Sequence, residues 1–245
     1  MLRTTTLLLA AAAPSVSANA QRAPVARVEQ TLMPPVTVVG RPTVRFSLAE
    51  RMAHYRVPAV SVALIEGGRI AWTRAWGEQV AGVPATAQTL FQAASVSKPV
   101  FAAAALQQVH RGRLSLDRPV NDHLTTWKVP DGEAKASAVT LRGLLSHSAG
   151  LSVHGFGGYA AGEAVPSLQQ LLAGAKPANS EPVRPVQAPG PFRYSGGGVS
   201  VAQLALQDAT GRPFADLVEQ QLFRPLGMTS SSFVQPLAPA RTVRA

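Results

Sequence analysis

Phe91-Gln92-Ala93-Ala94-Ser95-Val96-Ser97-Lys98-Pro99-Val100 is the stretch on which the fold turns. It sets a serine and a lysine three positions apart at the head of the apolar run Val100 to Leu106. Residues three apart on a helix share a face, so the Lys98 amine reaches the Ser95 hydroxyl. An unperturbed lysine amine, with a pKa of about 10.4, is a poor base at neutral pH. Apolar surroundings would lower that value and let the amine accept the serine proton. The helix N-terminus also favours negative charge developing on a nucleophile and an oxyanion. Pro99 is compatible with this, because N–H groups in the first turn have no helical partner to lose. A surface serine and lysine in an ordinary first turn would spell the same tetrapeptide, so the motif needs support from elsewhere in the chain.

Working outward, the run Val100 to Leu106 is apolar on all sides and reads as a buried helix. His110 and Arg111 in its last turn, with Gly112 as the cap, end it. Upstream, a helix over Leu48 to Tyr55 stops before Val57-Pro58. Two β-rich runs follow, Ala59 to Glu66 and Arg69 to Trp76, joined by Gly67-Gly68. That spacing predicts a hairpin with a type I′ or II′ turn. Downstream, Thr140 caps a helix through Leu141 and Leu144-Leu145, and a short helix covers Ser167 to Ala173 within the loop-rich stretch 152–190. Val199 to Thr210 forms a helix closed by Gly211, and Phe214 to Phe223 forms another, stopped by Pro225 and Gly227. There is no internal repeat and no low-complexity tract.

The 245 residues, 46% of them hydrophobic, suffice for one sizeable globular domain. Arg3, the apolar run Leu7 to Ala13 and the small residues Ala18-Asn19-Ala20 read as an export signal over residues 1–20, too short to span a bilayer. The expected plan is a signal at 1–20, a leader or linker at 21–45 and a single catalytic-type domain over 46–245. The product would be periplasmic or secreted, without an integral membrane segment after cleavage. With no cysteine there is neither a thiol for a lipid anchor nor a disulfide. A net charge of +10 invites a nucleic-acid reading. The basic residues argue against it, because Arg69, Arg74, Arg113, Arg118, Arg142 and Arg184 are scattered singly and aromatics are sparse. The five histidines show no metal-ligand spacing, and neither metal nor cofactor is expected.

A second chemical signal is Phe192-Arg193-Tyr194-Ser195-Gly196-Gly197-Gly198, ahead of the helix at Val199. A tyrosine on a glycine-rich loop approaches a reacting centre closely, since the neighbouring backbone carries no side chains. A phenol beside cationic amines can relay protons. A packed tyrosine beside a purely structural glycine loop would give the same pattern.

Taken together these segments resemble the β-lactamase/penicillin-binding-protein type of serine hydrolase. Within it they are most similar to the class C β-lactamase-like group of β-lactamases, D-amino-acid-active peptidases and β-lactamase-fold esterases. The run from Phe91 to Val100 carries the likeness. Gly112-Arg113-Leu114-Ser115-Leu116-Asp117, Leu144-Leu145-Ser146-His147-Ser148-Ala149-Gly150-Leu151, the Tyr194 segment and Pro225-Leu226-Gly227-Met228 follow in order. The likeness covers about residues 45 to 234. It implies an α+β fold of three layers, an antiparallel sheet flanked by a helical domain. It also implies an acyl-enzyme reaction on a small ester, β-lactam or peptide-like amide. Carried over, Ser95 is the acylated nucleophile, Lys98 the assisting amine and Tyr194 the proton shuttle. The Ser95 N–H is half of the oxyanion hole. Asp117 and His147 become scaffold residues, His147 as a helix-end histidine despite its two flanking serines.

Two departures stand out. The family pattern Tyr-x-Asn reads Tyr194-Ser195-Gly196 here. Gly196 offers no side-chain amide, which weakens penicillin-type recognition and leaves Gly196 and Gly197 as the candidate substrate-binding positions. The family's Lys/His-x-Gly motif, on a late strand that supplies the second oxyanion N–H, has no counterpart, because no Lys or His follows residue 194. The expectation is therefore a C-terminally truncated chain lacking the strands that complete the sheet. The alternative to a working hydrolase is an inactive remnant that serves at most as a binding module.

Overall fold

The computed structural model describes residues 18–160 and 162–237, which fall into two compact units, 18–91 and 92–237. The export signal read over residues 1–20 falls mainly on residues 1–17, outside those described.

In the first unit, helix α1 spans Ala18–Gln30 and α2 spans Leu48–Tyr55. The stretch 21–45, read as a leader or linker, is helical over residues 21–30; Val25 is buried, and Glu29 accepts a hydrogen bond of 2.9 Å from the Trp76 indole. Pro24 inside α1 hides this element, because a proline normally ends a helix by removing an N–H donor. Beyond α1, Leu32 and Phe46 exchange backbone hydrogen bonds of 3.0 and 2.9 Å. Helix α2 has the predicted bounds because its start is locally encoded. The Ser47 hydroxyl accepts from the Glu50 N–H at 3.1 Å, and the Glu50 carboxylate accepts from the Ser47 N–H at 2.7 Å.

Strands β1 (Ala59–Glu66) and β2 (Arg69–Val80) form the antiparallel hairpin, with Glu66 paired to Arg69. Gly67 and Gly68 both have positive φ, 56° and 75°, the type I′ combination. Strand β2 runs four residues past the predicted end at Trp76 and pairs there with β3 (Val83–Pro84). It passes through Gly77, where a Cβ would lie 2.0 Å from the Pro58 carbonyl oxygen. The glycine permits this close approach and does not end the strand.

The second unit is helical among its described residues, with only isolated bridges between extended segments. Helix α3 (Ser97–His110) follows a tight 3-10 turn at Ala94–Val96. It ends in a Schellman motif: Arg113 N–H donates to Gln108 O, and Gly112 N–H to Val109 O, both at 2.9 Å. Helices α4 (Leu141–Leu145) and α5 (Leu168–Ala173) are capped by Thr140 and Ser167, and Gln170 completes a capping box on α5. Helix α6 (Gly196–Thr210) leads through Gly211 into α7 (Phe214–Val218), which continues as a π turn over Glu219–Phe223.

The helix buried on all sides is α6, not α3. Val201, Ala202, Leu204, Ala205 and Leu206 are each at most 1% exposed, and α6 meets α3, α4, α5 and α7. Leu106 on α3 is 46% exposed. Apolar residues all round α3 therefore did not make it central: within its unit, α6 packs along one side of it. The fully buried Gln108 of α3 is satisfied, donating to the Gln221 side chain at 2.7 Å and accepting from Arg113 at 3.1 Å.

Leu204→Ala should cost about 2–5 kcal/mol of stability, since it leaves a cavity at the centre of the unit. Leu226→Ala, at a site 64% exposed, should cost under about 0.5 kcal/mol. Urea denaturation of the two variants measures the contrast.

Candidate active site

The 3-10 turn presents Ser95 to solvent one helical turn before Lys98, and the lysine amine donates to the Ser95 Oγ at 2.9 Å. The Tyr194 hydroxyl, 99 residues away in sequence, donates to the same oxygen at 2.9 Å. The amine also stands 5.0 Å from the centre of the Tyr194 ring. Ser95, Lys98 and Tyr194 therefore converge on one atom. Lys98 is half-buried, so the apolar enclosure expected around its amine is only partial. Hydrogen bonding to Lys98, and then to Ser95, holds the Tyr194 phenol below its usual pKa, because both interactions favour the phenolate.

Tyr194 is held by the way α6 begins. The three glycines are not a loop ahead of a helix at Val199; they are its first turn, and Ser195 is its N-cap. The Ser195 hydroxyl accepts from the Gly198 N–H at 2.8 Å and donates to the Ser152 carbonyl at 2.6 Å. Gly196 N–H donates to His154 O at 2.9 Å, and Gly197 N–H to Val153 O at 3.0 Å. A Cβ at position 197 would sit 2.8 Å from the Val183 side chain and 3.1 Å from the Ser152 carbonyl. Low helix propensity hides such a turn from a local reading, whereas close backbone approach requires the glycine. Gly197 is thus buried against residues 152, 153 and 183 and does not line the cleft beside Lys98, where a substrate-binding position was expected. Gly196 does line it.

That cleft has a volume of about 350 Å³ and runs beside Lys98 between α3 and α6. Its walls are Phe101, Phe156, Val199, Phe214 and Phe233, with Ser97, Ser200 and Gln203 among them. Phe214 lies 4.8 Å from Phe233 and 5.6 Å from Phe101 between ring centres, so the apolar wall is a connected aromatic cluster.

Two histidines stand beside Tyr194: His147, expected only as a scaffold residue, and His154, which carried no assignment. The rings of His147 and His154 lie 4.3 and 4.8 Å from the tyrosine ring. His147 sits in a quoted motif, but His154 has no sequence signal at all. No Ser–His pair forms at His147: the Ser146 and Ser148 hydroxyls bond each other at 2.8 Å instead. Asp117 makes a two-pronged bond to Arg142 at 2.6 and 2.8 Å, consistent with a scaffold role. Strain gathers here too. Of the four non-glycine residues with positive φ among those described, Ala94 (44°) precedes Ser95, and His147 (57°) and Val153 (58°) contact the start of α6. Each costs roughly 1–3 kcal/mol and persists only where the surroundings enforce it. The second oxyanion donor, expected from a late strand, has no counterpart among the described residues of this unit.

A family model described as Beta-lactamase matches residues 46–245. The chain belongs to the beta-lactamase family. Esterase EstB of Burkholderia gladioli is 33% identical over 182 residues, which cover 68% of this chain and 45% of EstB. Among solved structures, an octameric penicillin-binding protein homologue from Pyrococcus abyssi matches with a TM-score of 0.60 at 25% identity, over 74% of this chain and 42% of that one. A beta-lactamase/D-alanine carboxypeptidase from Yersinia pestis matches in fold, with a TM-score of 0.61 at 21% identity over 79% and 55% of the two chains. The fold is α+β, of the β-lactamase/transpeptidase type. The chain spans less than half the length of the curated relatives it matches.

Carbon NMR of ring-labelled tyrosine should show Tyr194 titrating below the ordinary value of about 10. Lys98→Met should raise it, because the hydrogen bond that lowers it most is removed.

Proposed function

We propose that the protein is a serine hydrolase that works through an acyl-enzyme, with esters carrying an apolar acyl group as the preferred substrate class. The observation that carries this reading is the convergence of the Lys98 amine and the Tyr194 hydroxyl on the single Ser95 oxygen, each at 2.9 Å. Ser95 Oγ attacks the ester carbonyl and passes its proton to the Tyr194 oxygen of the Lys98–Tyr194 pair, in the ionised form of the phenol that Lys98 favours. The C–O bond of the tetrahedral intermediate then breaks, and Tyr194 delivers the proton to the departing alkoxide. Water enters, gives its proton to the same pair and attacks the acyl carbon; the acyl–Oγ bond breaks, the acid leaves, and the pair returns the proton to Ser95 Oγ. A phenol with a depressed pKa, beside a cationic amine, is suited to both transfers.

Three features favour an ester over a β-lactam. Gly196 lacks the amide that would contact an acyl side-chain amide, the cleft beside Lys98 is walled by phenylalanines, and a relative at 33% identity is an esterase. The same proposal places the protein outside the cytoplasm, through the export signal read over residues 1–20.

A fluorophosphonate probe should label the wild-type protein at Ser95 and leave Ser95→Ala unlabelled; a folded but unlabelled wild type would support the inactive binding module instead. For p-nitrophenyl esters, kcat/KM should rise about fourfold per added CH₂, from roughly 0.8 kcal/mol of burial each, until the cleft is filled. A chromogenic cephalosporin turned over faster than every ester would overturn the substrate class. Tyr194→Phe should lower kcat by about 10²–10⁴-fold.

A further inference from the structure

His147 brackets the tyrosine. Its carbonyl accepts the Arg193 N–H at 2.7 Å, its Nδ1 accepts the Ser195 N–H at 3.2 Å, and its ring lies along the Tyr194 ring at 4.3 Å with 32° between planes. One residue therefore grips the chain on both sides of Tyr194 and the side chain between them. A backbone N–H can only donate, so Nδ1 carries no proton and the imidazole is neutral, with its hydrogen on Nε2. The four N–H groups from Ser195 to Gly198 go to His147 Nδ1, His154 O, Val153 O and Ser195 Oγ. Only the first of these acceptors is abolished by adding a proton.

We infer that His147 is a positioning residue for Tyr194, and that a proton on its ring releases the start of α6 and switches the site off. This rests on the acyl-enzyme reading above and adds a regulatory condition to it. With Nδ1 protonated, two donors face each other across 3.2 Å, the hydrogen bond is lost, and the ring must turn away from Ser195. Tyr194 then loses its stacking partner and its fixed distance to Ser95. The αL backbone of His147 points the same way, since a non-glycine residue is kept at φ 57° only by its surroundings.

The groups facing the ring are Lys98 from α3, His154 from the loop after α4, and Arg193 and Tyr194 from the segment before α6. Burial first, then the charges of Lys98 and His154, hold the imidazole below its ordinary value of about 6.5. The sign follows. A depressed pKa keeps His147 neutral and the site assembled at neutral pH, and activity falls as pH drops through that lowered value.

The test is a pH–rate profile on three variants, with p-nitrophenyl butyrate as substrate. Asparagine places Oδ1 at the same bond count from the backbone as Nδ1, accepts an N–H, tolerates αL and does not titrate in this range. His147→Asn should therefore keep most of kcat at pH 8 and lose the acid limb of the profile. His147→Ala should lose about 10²-fold in kcat at every pH with little change in KM, as expected of a misplaced catalytic group. His154→Gln, which removes no hydrogen bond from the start of α6, should keep the acid limb. An unchanged limb in His147→Asn, or full kcat in His147→Ala, overturns the inference. A readout independent of turnover separates its failure from that of the hydrolase reading. Nitrogen NMR of labelled histidine in Ser95→Ala should show the Nε2–H tautomer at pH 7.5, and the Ser195 amide resonance should move as His147 titrates. An Nδ1–H tautomer there would overturn the inference even if no substrate is ever found.

Discussion

The first turn of α6 lies directly against the backbone of residues 152–154, and the arrangement of the site follows from that contact. Three successive glycines make it possible. At position 197 a Cβ would stand 2.8 Å from Val183, and at 196 it would stand 3.1 Å from the His154 carbonyl. The contact also satisfies the Gly196 and Gly197 N–H groups, which a helix start leaves unpaired and which would each cost about 1–3 kcal/mol if buried alone. Tyr194 immediately precedes the N-cap, so the docking of this turn sets where its hydroxyl stands relative to Ser95.

Around that anchor the electrostatics lean one way. The Lys98 amine and the Ser95 hydroxyl hold the Tyr194 phenol toward its ionised form, while burial first, and then the charges of Lys98 and His154, push His147 toward neutrality. A site meant to hold a hydroxyl and an amine in readiness for proton transfer benefits from both effects. The strain at His147 and Val153 is tolerated where these residues accept hydrogen bonds from the start of α6. The aromatic cleft beside Lys98 gives the same site an apolar neighbour, and the esterase reading draws on that pairing of a polar centre with a greasy wall.

Much of the secondary structure was legible because its signals are local. Ser47 with Glu50, Thr140, and Ser167 with Gln170 start their helices by hydrogen bonds within one turn, and Gly67-Gly68 closes the hairpin by its own backbone angles. The misreadings have a common cause in glycines and prolines taken as breakers. Pro24 lies within α1, Gly77 within β2, and Gly196 to Gly198 open α6. At Gly77, Gly196 and Gly197 the glycine admits another stretch of backbone, which a window of neighbouring residues does not contain. The centrality assigned to α3 belongs to α6 for a similar reason, since composition shows that a helix is apolar and not how many partners surround it.

By itself the sequence determined what repeats within a turn or a motif: the Ser95–Lys98 spacing, the caps, the hairpin, and the ordered segments that mark the family. Only the tertiary structure decided that Tyr194 meets Ser95 across 99 residues, that His147 grips both neighbours of that tyrosine, and that Gly196 faces the cleft while Gly197 does not. The reason is physical. Hydrogen bonds between residues three or four apart are dictated by the geometry of the helix, which every local sequence shares. Contacts between distant residues depend on the path of all the chain between them, and that path is set by which faces the core buries.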